Sequence, residues 1–239
     1  MDDEIKALAE VGAALGDPAR AAMVLALMDG SARPAGDLQL QANVSASSAS
    51  AHLARLTESG VLTATRQGRH RLYRLRSAPV AHAVEALRLV AAPRVAVRSL
   101  ARSAANPFAF ARTCYDHLAG RLGVAVTDGL CRMGCLHANA GNLELTADGQ
   151  IWLMRLGIDA QTLVAARRPL ALACLDYTER RPHLAGAVGA ALLQHFLGLQ
   201  WLVRGRLPRA LRLTERGRVE LGHIFHLELT QGGELRPRR

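Results

Sequence analysis

Apolar positions along the first hundred or so residues fall at helical spacing and then at strand spacing. Ile5, Leu8, Val11 and Leu15 recur at helical intervals and predict a first helix that ends at Gly16. Asp17-Pro18 reads as the N-cap and first residue of a second helix over residues 19–28, closed by Gly30. Pro34 opens a short third helix, PAGDLQLQ, and Asn43-Val44 turns the chain into a fourth. Ser45 is a good N-cap for that helix, whose apolar stripe is Ala49, Leu53 and Leu56. After Gly60 the chain is extended over residues 61–66, Gln67-Gly68 supplies a turn, and Leu72, Tyr73 and Leu75 return toward a core. Val80, Val84, Leu87 and Ala91 stripe one more helix before Pro93 interrupts it.

The polar positions give this pattern its chemistry. Ser47, Ser48, Ser50, His52 and Arg55 are left on the outward face of the fourth helix. Small hydroxyls at a helix N-terminus approach phosphates and base edges without clashing, and the free N–H groups and helix dipole favour anions. Arg66, Arg69, Arg71, Arg74 and Arg76 crowd the following hairpin, with Gln67 and His70 at its tip and no acidic residue among them. A solvated loop usually mixes signs, whereas a one-sign hairpin beside a short polar helix suits a phosphate track or a minor-groove arm. The formal net charge of +10 agrees with an acidic partner, but Lys6 is the only lysine and arginine is abundant throughout. Clustering therefore carries more weight than the total.

Residues 4–75 resemble the ArsR/SmtB-type winged-helix repressors, through LGDPAR opening the second helix, the NVSASSASAHLARLTESGVL recognition region and the RQGRHRLYRL wing. The resemblance covers under half the chain. It implies a dimeric repressor that binds operator DNA and is released by an effector, often a metal ion. Ser45, Ser47, Ser48, Ser50, His52, Arg55, Arg66, Gln67, Arg69, His70 and Arg71 are the expected DNA-contacting residues. The first helix and the helix over residues 80–91 are the expected dimer seam. A twofold dimer presents two recognition helices a whole number of DNA turns apart and favours a palindromic double-stranded site. The chain departs from the family's metal sensors in one respect. The third-helix segment SARPAGDLQL has no cysteine or histidine, and His82 with Glu85 forms only an HxxE fragment of the family's other site, expected to lie at the surface.

An internal repeat occupies the second half. CYDHLAGRLG, from Cys114, is echoed by CLDYTERRPHLAGAVG, from Cys174, and each block leads through a helix to an extended segment, LELTADG or LRLTERG. Thr146 and Thr214 each read as the N-cap of a closing helix. The expected unit is helix–strand–helix in two copies, the second helix of this kind running over residues 183–198. In the second copy, residues 201–214 form a wing-like hairpin with Arg204, Arg206, Arg209 and Arg212, read as a duplicated scaffold and not a second DNA reader.

The fold class expected is thus mainly α with small β-hairpin wings. An N-terminal winged helix-turn-helix domain over residues 1–105 precedes a duplicated helical, winged-helix-like domain over 106–230 and a basic tail over 231–239. The repeat also gathers side chains able to bind soft ions. Cys114, Asp116 and His117 lie in one block, and Cys174, Asp176 and His183 in the other. If the copies pack pseudo-symmetrically, thiolates and imidazoles face each other as ligands for Zn, Cu or another soft ion. Cys131 and Cys135, expected on one helix face with His137 near, fit a soft metal or a thiol switch. Small, buried cysteines used only for packing fit the same residues. A third effector chemistry is an organic acid in an apolar pocket between the copies, met by Arg180, Arg181 and His183.

No glycine-rich phosphate loop, G-x-S-x-G or H-E-x-x-H motif occurs, and an enzyme is not expected. No membrane-spanning run and no signal-peptide apolar region is found, so a cytoplasmic protein with reduced cysteines is expected. The leading functional reading is a transcriptional regulator, a repressor released by a metal ion, a thiol-reactive agent or a small organic ligand sensed in the second domain. The competing one is a metal- or thiol-handling protein whose winged helix serves as an interaction module.

Overall fold

The computed structural model describes residues 1–68, 70–91, 107–139, 141–165, 168–207, 209–230 and 235. The chain divides into two compact units, Met1–Val84 and Glu85–Arg239. The expected boundary at Asn106, and Pro93, Arg69, Pro208 and nearly all of the basic tail, lie outside the described residues.

The first unit begins with α1 (Asp2–Leu15) and α2 (Pro18–Ala26). Asp17 caps α2 by accepting from the Arg20 backbone N–H, and Pro18 stands in the first turn, where its missing donor costs nothing. The short strand β1 (Arg33–Pro34) leads into α3 (Ala35–Ala42). Asn43 then ends α3 at φ 52° in the left-handed region, and α4 (Ala46–Glu58) follows. β2 (Leu62–Gln67) and β3 (His70–Leu75) form an antiparallel hairpin that β1 extends on the β3 side. Leu62, Tyr73 and Leu75 point inward, as do Leu53 and Leu56 of α4. Helices α2 to α4, with the hairpin behind α4 as the wing, make a winged helix-turn-helix. The stripe builds α1 as expected, with Ala14 its one buried residue and Ile5 and Leu8 61% and 74% exposed. The division between units falls within α5 (Ala78–Ala91).

The second unit is the repeat. α6 (Pro107–Phe110) precedes the first copy, which runs β4 (Arg112–Cys114), β5 (His117–Ala119), α7 (Gly120–Arg132), β6 (Leu136–Asn139), β7 (Asn142–Leu145) and α8 (Ala147–Arg155). After α9 (Ala160–Val164) the second copy runs β8 (Leu172–Leu175), β9 (Pro182–Ala185), α10 (Gly186–Gly198), β10 (Leu202–Arg204), β11 (Leu211–Leu213) and α11 (Glu215–Phe225). Each copy is therefore hairpin–helix–hairpin–helix, richer than the expected helix–strand–helix. His183 belongs to strand β9, and the helix starts only at Gly186. Thr146 and Thr214 cap α8 and α11, accepting from the N–H of Gly149 and Gly217.

The glycines of the HLAG motif explain why the hairpin turns directly into a helix. Gly120 and Gly186 take φ of +80° and +84°, a conformation open to glycine at little cost, where the strand bends into α7 or α10. The copies interlock: α7 packs on β9, α10 on β5, and β5 on β9. The Leu184 N–H of one copy donates to Thr127 Oγ1 of the other at 2.8 Å. A shared apolar core centres on Leu122, Val188, Phe196, Trp201 and Phe225. Phe196 stacks on Trp201 with centroids 5.6 Å apart.

Candidate nucleic-acid interface and a buried cysteine–histidine cluster

In the first unit, the N-terminus of α4 is organised by Ser45. Its Oγ accepts from the Ser48 N–H at 3.2 Å and lies within 3.0 Å of the Ser47 and Ser48 hydroxyls. Ser47, Ser48, Ser50 and Arg55 are exposed on the face opposite Ala49, Leu53 and Leu56. Ser50 Oγ donates to the Ala46 carbonyl. His52 differs from its neighbours: it is half-buried, with Nδ1 3.4 Å from the Arg20 guanidinium and 3.8 Å from Asp17, so it ties α4 to the α1–α2 junction. Arg20, the arginine of LGDPAR, donates to the carbonyls of Ala13 and Ala14 and closes the C-terminal end of α1, where a cation meets the negative end of the helix dipole.

The wing pairs Arg66 with Arg71 and Gln67 with His70, and all four are exposed. The Arg71 guanidinium sits 5.3 Å from the Tyr73 ring centroid. Among the described residues, none of Arg55, Arg66, Arg71 and Arg74 forms an ion pair.

The second unit brings the two C-x-D blocks together. Cys114 and His117 face each other across the β4–β5 hairpin, and Cys174 and His183 across β8–β9. The four side chains are buried and their ligand atoms lie within 4.8 Å of one another. Cys114 Sγ is 3.9 Å from Cys174 Sγ, and His117 Nε2 is 3.1 Å from His183 Nε2. The rings stack with centroids 5.0 Å apart. Such a set of thiols and imidazoles permits a metal ion.

Aspartates stand behind both histidines. Asp116 Oδ1 is 3.3 Å from His117 Nδ1, and Asp176 Oδ2 is 3.5 Å from His183 Nδ1. Arg168 meets Asp116 at 2.6 Å. Burial raises the Asp116 carboxyl, but His117 and Arg168 outweigh it and hold the pKa at about 2. Asp176, fully buried, takes both carboxylate oxygens to Arg112 Nη2 at 2.8 Å and accepts from the Gly120 N–H at 2.7 Å. Burial opposes its ionisation, and Arg112 and His183 overcome that to keep it below the usual carboxylate range. The neighbouring Cys174 thiol, and then burial, push the Cys114 thiol well above its ordinary value.

Comparison with known proteins puts these two sites in context. No family model matches the sequence. The curated protein "Uncharacterized HTH-type transcriptional regulator YdfF" of Bacillus subtilis (strain 168) is 41% identical over 213 residues, which cover 89% of this chain and 94% of that protein. The chain belongs to the HTH-type transcriptional regulators. Its winged helix is accordingly the DNA-binding unit of a regulator. Among solved structures, the chain is similar to the homodimeric winged helix-turn-helix DNA-binding domain of Mb0332 from Mycobacterium bovis, a possible ArsR-family regulator. The identity is 24% and the TM-score 0.37, covering 39% of this chain and 86% of that one. The transcriptional repressor BigR from Xylella fastidiosa is 29% identical with a TM-score of 0.34, covering 38% and 91%.

Several expected side chains of this regulator lie elsewhere than anticipated. Cys131 ends α7, whereas Cys135 follows the left-handed Gly134 (φ 72°) beyond the helix, so the two do not share a helix face. His137 is exposed on β6, and none of the three joins the cluster. The repeat explains Cys135: it matches Trp201, since the carbonyls of both residues accept from the Thr146 or Thr214 N–H and abut Gly149 or Gly217. Arg209 of the second wing turns inward, with Nε donating to the Thr113 carbonyl. Arg181 pairs with Asp128 at 2.8 Å, and a cavity between the copies, lined by Leu118, Val126, Leu184 and Phe196 among others, holds about 10 Å³. That is room for roughly one water. Glu85, expected at the surface, is 1% exposed and lies among Arg88, Arg112 and Arg209. Arg112 and Arg168 were not anticipated. Arg112 left a signal, an arginine within the apolar run FAFARTC, but Arg168 sits in an ordinary basic loop.

Proposed function

We propose that this regulator is a homodimeric, ArsR-type repressor that binds a palindromic double-stranded operator and is released by an effector acting through the second unit. One observation carries the DNA-binding part: the exposed serine face of α4 and the unpaired-charge wing of Arg66 and Arg71 belong to one small, well-packed unit. Ser47, Ser48, Ser50 and Arg55 enter the major groove, and the wing arginines follow phosphate. Half-buried His52 positions α4 more than it reads DNA. Exposed apolar residues support self-association: Ile5 and Leu8 on α1, and Leu87 and Val90, 52% and 75% exposed, on α5. The effector class best supported is a soft or borderline metal ion, Zn or Cu, because the second unit holds a buried Cys–His cluster.

Fluorescence anisotropy on DNA from upstream of the coding region tests this reading. Log affinity should fall linearly with log salt, with a slope of about −0.9 for each phosphate that the protein neutralises. Arg55→Ala and Arg71→Ala proteins that remain folded should bind at least severalfold more weakly. Parent-like binding by both variants overturns the assignment.

A further inference from the structure

We propose that Cys114, His117, Cys174 and His183 form a closed, four-coordinate site for a zinc-class divalent ion, which pins the two copies of the repeat to each other. The spacing of the donor atoms carries the argument. A tetrahedral zinc with bonds of about 2.0–2.1 Å to nitrogen and 2.3 Å to sulfur sets its two nitrogens about 3.3–3.4 Å apart and its two sulfurs about 3.8 Å apart. The Nε2 pair stands at 3.1 Å and the Sγ pair at 3.9 Å. Both pairs therefore already lie within a few tenths of an ångström of the separations that the ion would impose.

Orientation agrees. Each histidine has Nδ1 near a carboxylate, Asp116 at 3.3 Å or Asp176 at 3.5 Å, which favours a proton on Nδ1 and directs Nε2 toward the place of the ion. In the ion-free chain the two Nε2 atoms, 3.1 Å apart, are joined by a hydrogen bond, and a metal ion would take the place of its proton.

Charge selects the ion. Asp116 is compensated by Arg168 and Asp176 by Arg112, so neither carboxylate contributes net charge to the cluster. A divalent ion displaces into solvent one proton from each thiol and the proton held between the two Nε2 atoms, and leaves two thiolates, a dication and two neutral imidazoles, with no net charge. Cu(I) on the same ligands leaves a net negative charge in a buried place, which is costly. An S₂N₂ tetrahedral set is characteristic of zinc. All four coordination positions come from the protein and all four side chains are buried, so no place remains for a substrate or a catalytic water. Packing alone gives no reason for two histidines and an aspartate to be buried here, and a Cys114–Cys174 disulfide leaves the facing imidazoles unexplained.

Two ligands come from each copy, at positions related by the repeat: Cys114 and His117 from β4–β5, Cys174 and His183 from β8–β9. The ion is thus a clip across the interface where β5 meets β9. An effect of the ion on DNA affinity rests on the regulator reading above, whereas its binding does not.

Full-length protein, stripped with a chelator under reducing conditions and then titrated with Zn(II) or Co(II), tests the site. One ion per chain is expected, and Co(II) should give intense visible d–d absorption with a near-ultraviolet thiolate charge-transfer band. In the parent protein, tryptophan-detected melting should rise with Zn(II) and return with chelator. Cys114→Ser and Cys174→Ser, checked for folding by circular dichroism, should weaken binding about a hundredfold or more, and Asp116→Asn about tenfold to a hundredfold. Cys131→Ser/Cys135→Ser should retain full stoichiometry. Absence of stoichiometric binding in the parent, a weak octahedral Co(II) spectrum, or loss of the ion only in the Cys131/Cys135 variant overturns the proposal. Operator affinity measured on the same samples separates the two readings: stoichiometric zinc with unchanged DNA binding supports the site and removes metal sensing from the regulator's function.

Discussion

Replacing Arg112 with methionine removes the cation on which the buried network of the second unit depends. The Arg112 and Asp176 side chains are both fully buried, and Nη2 lies 2.8 Å from each carboxylate oxygen. Glu85, 3.8 Å away and 1% exposed, is deprived of a compensating charge as well. Methionine keeps much of the packing on Tyr177 and Phe108, whose rings lie 4.5 and 5.4 Å from the guanidinium. The cost is then chiefly that of stranding a buried carboxylate, about 3–5 kcal/mol. Trp152 and Trp201 are the chain's two tryptophans and both lie in the second unit, so selectively excited tryptophan fluorescence follows that unit. A destabilisation of this size lowers its melting midpoint by roughly 6–20 °C. A midpoint shifted by less than about 1 kcal/mol refutes the network, because a stranded buried charge cannot cost so little. Arg112→Met combined with Glu85→Gln should destabilise less than the sum of the two, with a coupling of about 0.5–3 kcal/mol. Strict additivity means that the two residues do not share a charge balance.

Gly217→Ala and Gly149→Ala should destabilise the second unit although alanine is the better helix former by about 1 kcal/mol. A Cβ there meets the Trp201 or Cys135 carbonyl oxygen at 2.1 or 2.2 Å, and urea unfolding followed by fluorescence reads the sign. Ser45→Ala should cost the first unit about 1 kcal/mol by removing the α4 cap, measured by circular dichroism, and an unchanged midpoint counts against that role. Asp29 gives the first unit an acid limit. Burial raises its carboxyl, but Ser31 and Arg33 outweigh it and hold the pKa below the ordinary value of 3.8. Its folded value is thus depressed, so its contribution is complete above the unfolded value of about 3.9 and is lost as pH falls through the folded one. Asp29→Asn should flatten the stability curve below about pH 4 and lower the plateau above it; identical acid profiles for parent and variant discount the pair.

Much of the first unit is legible in the chain because its signals are local. Asp17-Pro18, Ser45 and Gln67-Gly68 act through bonds to residues within a few positions, and the alternation in β3 follows from one buried face. At α1 periodicity gives the helix, but a stripe reports that a face is apolar and not what covers it. Ile5 and Leu8 remain exposed within the chain. His52 departs from expectation for a related reason: helical spacing places it on the outer face, while its length lets it reach back to Arg20 and Asp17.

The repeat and its chemistry divide differently. Self-similarity, threonine caps and the two C-x-D blocks can be read directly, because a duplicated sequence keeps its pattern wherever it folds. That Cys114, His117, Cys174 and His183 meet, while Cys131, Cys135 and His137 stay apart, was decided by tertiary structure. Residues separated by 60 or more positions come together only because α7 crosses onto β9 and α10 onto β5. Likewise nothing local distinguishes Arg168 and Glu85 from solvated charges, and the one local sign at Arg112 is its place in the apolar run FAFARTC. The burial of Arg112 and Glu85 is tolerated only when each finds an opposite charge; Arg112, like the half-buried Arg168, finds it in a distant part of the chain, and that pairing exists only once the copies have interlocked.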